Sequence, residues 1–165
     1  MNVLEAIRTK RAVRQFTDEP IPRDVLEKIL RAGLRAQSSK NTQPWHLIVV
    51  EDRQVLLQLS KLGDFLGYLA GASACVVLAA PDDSPWTYFD LGQCASYLQL
   101  SALELGVGSC LGAIYQPAEA KKLLGVPADM SLQALVSLGY PSADHQVARL
   151  GGRKPISEAV HWQRW

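Results

Sequence analysis

The sequence predicts a single α+β domain that spans residues 1–165. Helical and strand-like patterns follow one another irregularly, without the βαβ alternation that predicts a doubly wound parallel sheet. A second observation is the long segment 86–105, which has helical character and is apolar nearly all round. Such a helix is typical of the spine of a fold or of a subunit interface. The composition, 48% hydrophobic and 20% charged, is that of a globular chain with a real core.

Local signals predict the elements in order. Asn2 and Glu5 have the spacing of a capping box, which predicts a first helix over residues 3–10. Apolar residues at helical spacing predict a second helix that ends at the polar loop SSKNTQP, namely Val25, Ile29, Leu30 and Leu34. The apolar run HLIVVE then predicts a buried strand. Further helices are predicted at 53–62, 65–72, 86–105 and 117–124, and strands at 75–80, 109–114 and 132–140, before a tail from 141 without clear period.

Charge and cysteine content exclude some functions. Lys plus Arg is 17 against 16 for Asp plus Glu, so the net charge of +1 gives no general attraction to nucleic acid or membranes. The basic residues also lack the interleaved aromatic residues of a nucleic-acid surface. The three cysteines lack metal-site spacing, the N-terminus lacks a signal-peptide core, and no apolar run approaches the ~18 residues of a membrane span. We expect a reducing, cytoplasmic environment.

Two basic clusters are candidates for anion binding. Lys10, Arg11 and Arg14 fall within KRAVR, where the first predicted helix ends, and arginine forms strong hydrogen bonds with phosphate. The alternative is a solvated helix end that complements the helix dipole, and the residues alone leave both open. Arg153 and Lys154 lie in GGRKP, whose glycines allow close approach of the backbone, although such a pair alone is more often a surface loop.

The common catalytic motifs do not occur in the sequence. GVGSCLG lacks the GxGxxG spacing, and no GxxxxGK[ST], GxSxG, HExxH or CxxC is present. His46, His145 and His161 lie far apart, which favours structural or surface roles over zinc binding. Cys110 lies in an apolar strand without an activating partner, so a packed core thiol is favoured over a nucleophile. If the chain is an enzyme, a bound cofactor carries the reaction.

Five motifs, in a characteristic order, resemble the FMN-dependent nitroreductase family of NAD(P)H-dependent flavin oxidoreductases. They are KRAVRQF, SSKNTQPW, GVGSC, LLGVPADMSLQALVSLGYP and RKPISEAVHWQRW, and the resemblance extends over nearly the whole chain. The resemblance implies a mostly antiparallel sheet flanked by helices in an intertwined homodimer. It also implies two FMN sites at the interface and a C-terminal arm, about 142–165, that packs on the partner subunit.

The resemblance also implies the site residues. FMN would be held by one subunit's basic cluster, and the polar loop would reach it from the partner. Arg14, beside the pyrimidine edge, would stabilise the anionic reduced flavin. Hydride would arrive and leave at flavin N5, so no catalytic acid or base is implied. The implied cofactor contacts are Lys10, Arg11, Ala12 (backbone), Arg14, Arg153 and Lys154 from one chain, Arg35, Ser38, Ser39 and Asn41 from the partner, and the backbone of Leu111, Gly112 and Ala113.

The implied activity is transfer of hydride from NAD(P)H through FMN to an electron-poor acceptor such as a nitroaromatic or a quinone. Two departures from the family pattern, Ala12 in place of Ser and Gln37 in place of Pro, predict weaker FMN binding. The short linker 81–85 predicts an open substrate pocket. Two alternatives stay open: an FMN-binding or storage protein without turnover, and a dehydrogenase or dehalogenase of the same family.

Overall fold

The computed structural model describes residues 1–81, 84–147 and 152–165. Its centre is a four-stranded sheet in the order β1-β2-β4-β3, in which each neighbouring pair is antiparallel. The predicted α+β class with a mostly antiparallel sheet is therefore confirmed. The strands are β1 (His46–Val50), β2 (Ala74–Ala80), β3 (Gly108–Ala113) and β4 (Ser131–Gly139).

Six α-helices flank the sheet or precede and follow it in the described chain. The Asn2 side chain accepts a hydrogen bond from the Glu5 backbone N–H at 2.9 Å, as the predicted cap requires. The Ser84 side chain accepts a hydrogen bond from the Thr87 backbone N–H and so caps the long helix. The first residue of this helix is Pro85, and proline is favoured at that position. The helices are α1 (Val3–Thr9), α2 (Arg23–Gly33), α3 (Arg53–Leu59), α4 (Pro85–Glu104), α5 (Pro117–Leu124) and α6 (Ile156–Ala159).

The sheet separates two hydrophobic cores. Strand β2 is buried along its whole length because both of its faces are covered. Val76 and Leu78 belong to the core beneath α2 and α4, whereas Cys75 and Val77 belong to the core beneath α3 and α5. This alternation follows from the two-residue period of a strand. The long helix α4 therefore packs directly on one sheet face and supports the elements around it.

Several predicted boundaries and faces differ from the structure. The strand predicted as buried, β1, is an edge strand, and only its last residue, Val50, is buried. The helix predicted to 62 ends at Leu59, and the helix predicted at 65–72 is a short 3-10 helix, Gly67–Gly71. Leu34 is 47% exposed, because the buried face of α2 consists of Leu26, Ile29 and Gly33.

Large apolar side chains remain exposed on α1, on α4 and in the C-terminal tail. Helix α4 buries one side in its own core but exposes Trp86, Phe89 and Tyr97 along the other, so its all-round apolar character is confirmed. No helix in the described parts is long and apolar enough to span a membrane. The further exposed apolar residues of α1 and the C-terminal tail are Val3, Leu4, Ile7, Ile156, Trp162 and Trp165.

Candidate functional site

The basic segment after α1 lies against the outer edge of β3. The Val13 backbone N–H donates to the Ser109 carbonyl at 2.9 Å, and Ala12 forms a parallel bridge with Ser109. Gly108 permits this approach, since a Cβ there would lie 2.8 Å from Val13. Further along, the Thr17 N–H donates to the Tyr140 carbonyl at 2.8 Å. Backbone pairing therefore fixes the cationic side chains at one edge of the sheet.

The three cations of this segment differ in their surroundings. Lys10 is half-buried and donates to the side-chain oxygen of Gln99 on α4. Burial lowers the pKa of Lys10, and the neighbouring Arg14 lowers it further, while Cys110 acts in the opposite direction. Arg11 is exposed and donates to the carbonyls of Arg8 and Lys10, both at 2.8 Å. None of these cations pairs with a carboxylate among the described residues, so their charge is available to an anion.

The second half of β3 presents an apolar surface beside the cations. Leu111 is 52% exposed, and Ala113 is exposed as well. The Arg14 guanidinium approaches this half of β3 through Tyr68: its carbon lies 6.0 Å from the centroid of the Tyr68 ring, and a Cβ on Gly112 would lie 2.7 Å from the Tyr68 hydroxyl. A Cβ on Gly112 would lie 2.4 Å from the Leu66 side chain, so only glycine fits the backbone position between them. The structure therefore brings part of the predicted site together: the basic cluster and the end of β3.

Tyr68 is a site neighbour that the sequence does not reveal. The Arg14 guanidinium carbon lies 6.0 Å from the centroid of the Tyr68 ring, within the range of a cation–π contact. The Tyr68 hydroxyl is buried and has no hydrogen-bond partner of normal geometry among the described residues. Burial raises the pKa of Tyr68 strongly, and the neighbouring Cys110 thiol adds to the rise. No local sequence signal marks such a contact, because it depends on the 3-10 helix packing beneath β3.

The polar loop between α2 and β1 is fixed against the first half of α4. The Ser39 N–H donates to the buried Asp90 carboxylate at 3.0 Å, and the Gln43 N–H donates to the Ser38 hydroxyl at 2.9 Å. Lys40, Asn41 and Gln43 adopt positive φ angles of 50°, 57° and 48°. Left-handed backbone is costly for non-glycine residues, so these contacts hold a strained loop. Its Asn41 side chain, and that of Arg35 at the preceding turn, are exposed.

Within one chain, the loop and the basic cluster lie at different places along α4. The cluster contacts Gln99 through Lys10, whereas the loop contacts Asp90 through Ser39. Nine residues of helix separate the two contacts by about 13.5 Å along its axis. They also line separate cavities, of about 430 Å³ beside Ser39 and about 250 Å³ beside Lys10. The structure of one chain does not bring these two predicted halves of the site together.

The second basic pair and the linker remain apart from this geometry. Arg153 and Lys154 are exposed in the described tail 152–165, and every residue of that tail is exposed. Residues 148–151, which join the tail to the domain, lie outside the described residues. The same is true of residues 82–83 in the short linker that predicts an open pocket. Contact of Arg153 and Lys154 with phosphate therefore stays a prediction.

The remaining titratable candidates are outside the site or buried. Cys110 is 2% exposed, as predicted for a core thiol. Burial raises the pKa of Cys75 to about 12 and that of Cys94 to about 11. The exposed His161 stacks on Trp165, with ring centroids 4.2 Å apart. Among the described residues, no three His, Cys, Asp or Glu side chains form a group that could hold a metal ion.

Fold and site together define an α+β protein whose antiparallel sheet carries a cationic segment along one edge. The model of the Nitroreductase family matches residues 7–67 and 63–140. The chain therefore belongs to the Nitroreductase family, and the family predicted from the five motifs is confirmed.

Individual relatives agree with this membership. A protein of Archaeoglobus fulgidus, provisionally named NADH dehydrogenase/NAD(P)H nitroreductase, is 35% identical over 98% of each chain. The NADPH-flavin oxidoreductase of Vibrio harveyi is 26% identical over 97% of this chain and 73% of its own. Among solved structures, an FMN-dependent nitroreductase of Clostridium difficile has a TM-score of 0.88 at 27% identity, over 99% of this chain and 100% of its own. The predicted nitroreductase-like fold is thus confirmed.

Proposed function

We propose that this protein is an FMN-dependent oxidoreductase that takes electrons from NAD(P)H and delivers them to an electron-poor acceptor of the nitroaromatic or quinone type. The observation that carries the proposal is a group of cations without carboxylate partners at the outer edge of β3, where the Arg14 guanidinium lies over Tyr68 and Tyr68 in turn packs against Gly112. The names of the relatives, which refer to NAD(P)H, flavin and nitro-group reduction, support it.

The residues present suit FMN, which has an anionic phosphate at one end and a flat, largely apolar ring system at the other. Lys10 and Arg11 would bind the phosphate by charge-assisted hydrogen bonds. Arg14 would lie at the pyrimidine edge, and the backbone of β3 around Gly112 would border the ring. When bound, FMN supplies the two-electron chemistry at its N5 atom.

The chain's own contribution to this chemistry is electrostatic and positional. A cation at the pyrimidine edge stabilises negative charge that develops there on reduction. The Tyr68 ring, 6.0 Å from the guanidinium carbon of Arg14, holds that cation in place without neutralising it. Lys10 is likewise positioned by Gln99 rather than by a carboxylate. These contacts keep the positive charge ordered yet available to the cofactor.

We further propose that the active unit is a homodimer in which the polar loop of one chain completes the cofactor site of the other. The separation of loop and cluster along α4 supports this arrangement, because one chain alone leaves the two apart. The exposed apolar side chains of α4 and of the tail, such as Phe89 and Trp162, support it as well. The buried, free thiols are compatible with the cytoplasmic location that we expect.

The visible absorption spectrum of the purified protein tests the cofactor, and chromatography of the extracted flavin distinguishes FMN from FAD. We expect a yellow protein that contains FMN. Anaerobic titration with NADH and with NADPH then tests reduction, and steady-state NADH oxidation with menadione tests turnover. Colourless protein that takes up no added FMN would refute the proposal. Bound FMN without turnover with any acceptor would instead favour the storage alternative.

A further inference from the structure

Helix α4 carries a buried carboxylate whose hydrogen-bond partner lies in the polar loop. Asp90, in the first half of this helix, is 4% exposed. Its carboxylate accepts a hydrogen bond from the Ser39 backbone N–H at 3.0 Å. Among the described residues, no cation forms an ion pair with Asp90. Because a buried carboxylate is costly without a donor, Asp90 and the Ser39 N–H stabilise one another in this position.

The polar loop, residues 38–43, is closed upon itself by its other hydrogen bonds. The Asn41 N–H donates to the Ser38 carbonyl at 3.0 Å, and the Gln43 N–H donates to the Ser38 hydroxyl at 2.9 Å. Within the described chain, Asp90 is the one hydrogen-bond partner of the loop that lies outside it. The positive φ angles of the loop are costly for non-glycine residues, so the loop would relax into other conformations without this attachment.

The same helix holds the basic cluster through a second buried polar side chain. Gln99, which is 7% exposed, accepts a hydrogen bond from Lys10. Asp90 and Gln99 lie nine residues apart, or about 13.5 Å along the helix axis. In a dimer with shared sites, the loop and the cluster of one chain serve different cofactors. Loss of the Asp90 contact should then damage only the cofactor site of the partner.

We propose that Asp90 is a positioning residue that holds the polar loop of its own chain in the conformation that completes the partner's cofactor site. This inference rests on the proposed function, since it takes the loop as part of a shared FMN site. Asp90 touches neither the flavin nor the acceptor and acts through the Ser39 N–H. Asp90→Ala removes the acceptor and releases the loop. Asp90→Asn keeps an oxygen acceptor without the charge and retains the contact in part.

Limited proteolysis of the flavin-free protein measures the loop attachment without reference to the cofactor. Trypsin cleaves after the exposed Lys40, and mass spectrometry identifies that cut. In Asp90→Ala we expect cleavage there to be about tenfold faster or more, the usual effect of losing a hydrogen bond to a charged group. Asp90→Asn should show a smaller increase. Gln99→Leu removes a buried polar group from the same helix and should leave cleavage after Lys40 unchanged, so it is the matched control.

Dimers that combine two different variant chains show which cofactor site Asp90 serves. NADH oxidation with menadione is measured at limiting FMN. Asp90→Ala homodimers should lose about tenfold or more in activity. Mixed dimers of Asp90→Ala with Arg11→Ala should recover about half of wild-type activity, because one site is then free of both lesions. Mixed dimers of Asp90→Ala with Asn41→Ala should stay at the low level, because both lesions affect the loop and each site receives one of them.

Each outcome supports or overturns the inference. Unchanged cleavage after Lys40 in Asp90→Ala overturns it and leaves the proposed function intact. Recovery with Asn41→Ala instead of Arg11→Ala also overturns it, since Asp90 would then act on its own chain's cluster. Absence of recovery in both pairs means that Asp90 acts through the whole fold. If the wild-type protein binds no FMN, the proposed function fails and the inference with it, whatever the proteolysis shows.

Circular dichroism verifies the folding of every variant. Should Asp90→Ala not fold, Asp90→Asn replaces it in both experiments, and we expect the same pattern with smaller changes. Wild-type cleavage and wild-type activity in Asp90→Asn would then overturn the inference.

Discussion

The sharing of each cofactor site between two chains can be tested by combining two defective chains in one dimer. Arg11→Ala damages the basic cluster, and Asn41→Ala damages the polar loop. Each lesion alone affects both sites of a homodimer, because both chains carry it. In a mixed dimer with shared sites, one site carries both lesions and the other carries neither. The basic cluster and the polar loop contact α4 at points about 13.5 Å apart, so each substitution damages only one of the two within a chain.

The expected recovery follows from this arrangement. Loss of one charge-assisted hydrogen bond through Arg11→Ala costs roughly 1.5–3 kcal/mol, which weakens FMN binding by about ten- to 150-fold. At limiting FMN, each homodimeric variant should therefore retain little activity. Purified mixed dimers should recover about half of wild-type activity, and a randomly exchanged equal mixture about a quarter, because half of its dimers are mixed.

The assay uses chains with two different affinity tags, produced together and purified over both columns in turn. NADH oxidation with menadione is measured at limiting FMN. The matched control combines Arg11→Ala with Arg14→Ala, two lesions in the same basic cluster, so every site of that mixed dimer stays damaged. Recovery in the first pair but not in the control supports shared sites. Mixed dimers of Arg11→Ala and Asn41→Ala that stay inactive would refute the reasoning.

Four further predictions concern single residues. Arg14→Ala should weaken FMN binding and lower the reduction potential of bound FMN, as measured by equilibrium redox titration, because the anionic reduced flavin loses a cation. Gly112→Ala should cost roughly 1–3 kcal/mol of unfolding free energy in urea, since its Cβ would overlap Leu66. Gly92→Leu should dissociate the dimer in sedimentation experiments yet leave the monomer folded, because nothing lies within 4 Å of a Cβ there. The unfolding free energy should fall as pH rises above about 9, because the pKa of Cys75 is raised to about 12 and only the unfolded chain ionises it.

Matched variants identify the cause in each case. Arg23→Ala removes an exposed arginine that forms only surface ion pairs, so FMN potential should not change. Gly71→Ala places a Cβ in open space and should leave stability nearly unchanged. Cys75→Val removes the ionising group and should flatten the pH dependence by about 1.4 kcal/mol per pH unit where the unfolded thiol is ionised. A Gly92→Leu protein that remains dimeric would place the subunit interface elsewhere than on this part of α4.

The sequence predicts elements well where local signals and burial agree. Strand β2 is a continuous apolar run because both faces are covered, and the start of α4 is marked by its cap and Pro85. The edge position of β1 cannot be deduced from the local sequence, because it depends on which strands far apart in the sequence pair with one another. For the same reason, the polar run that precedes β1 predicts a ligand loop without revealing its contact with Asp90.

The candidate site, like the fold, is predictable from the sequence only where the signal is local. The clustering of Lys10, Arg11 and Arg14 is visible in the sequence, whereas their position at the outer edge of β3 follows from the parallel bridge at Ser109. Their assignment to FMN came from the resemblance of the motifs, not from spacing. Tyr68 was missed as a site residue because it reaches Arg14 through packing of distant parts of the chain.

The edge position of β3 has a consequence for the protein without its cofactor. The segment around Ala12 pairs with this strand at Ser109, and beyond that point no described segment pairs with its outer edge. An unpaired strand edge flanked by an exposed side chain such as Leu111 is a template for association with another strand. Cofactor and partner loop would therefore also shield the chain from aggregation. Chains that are synthesised faster than flavin is supplied would therefore be the ones that aggregate.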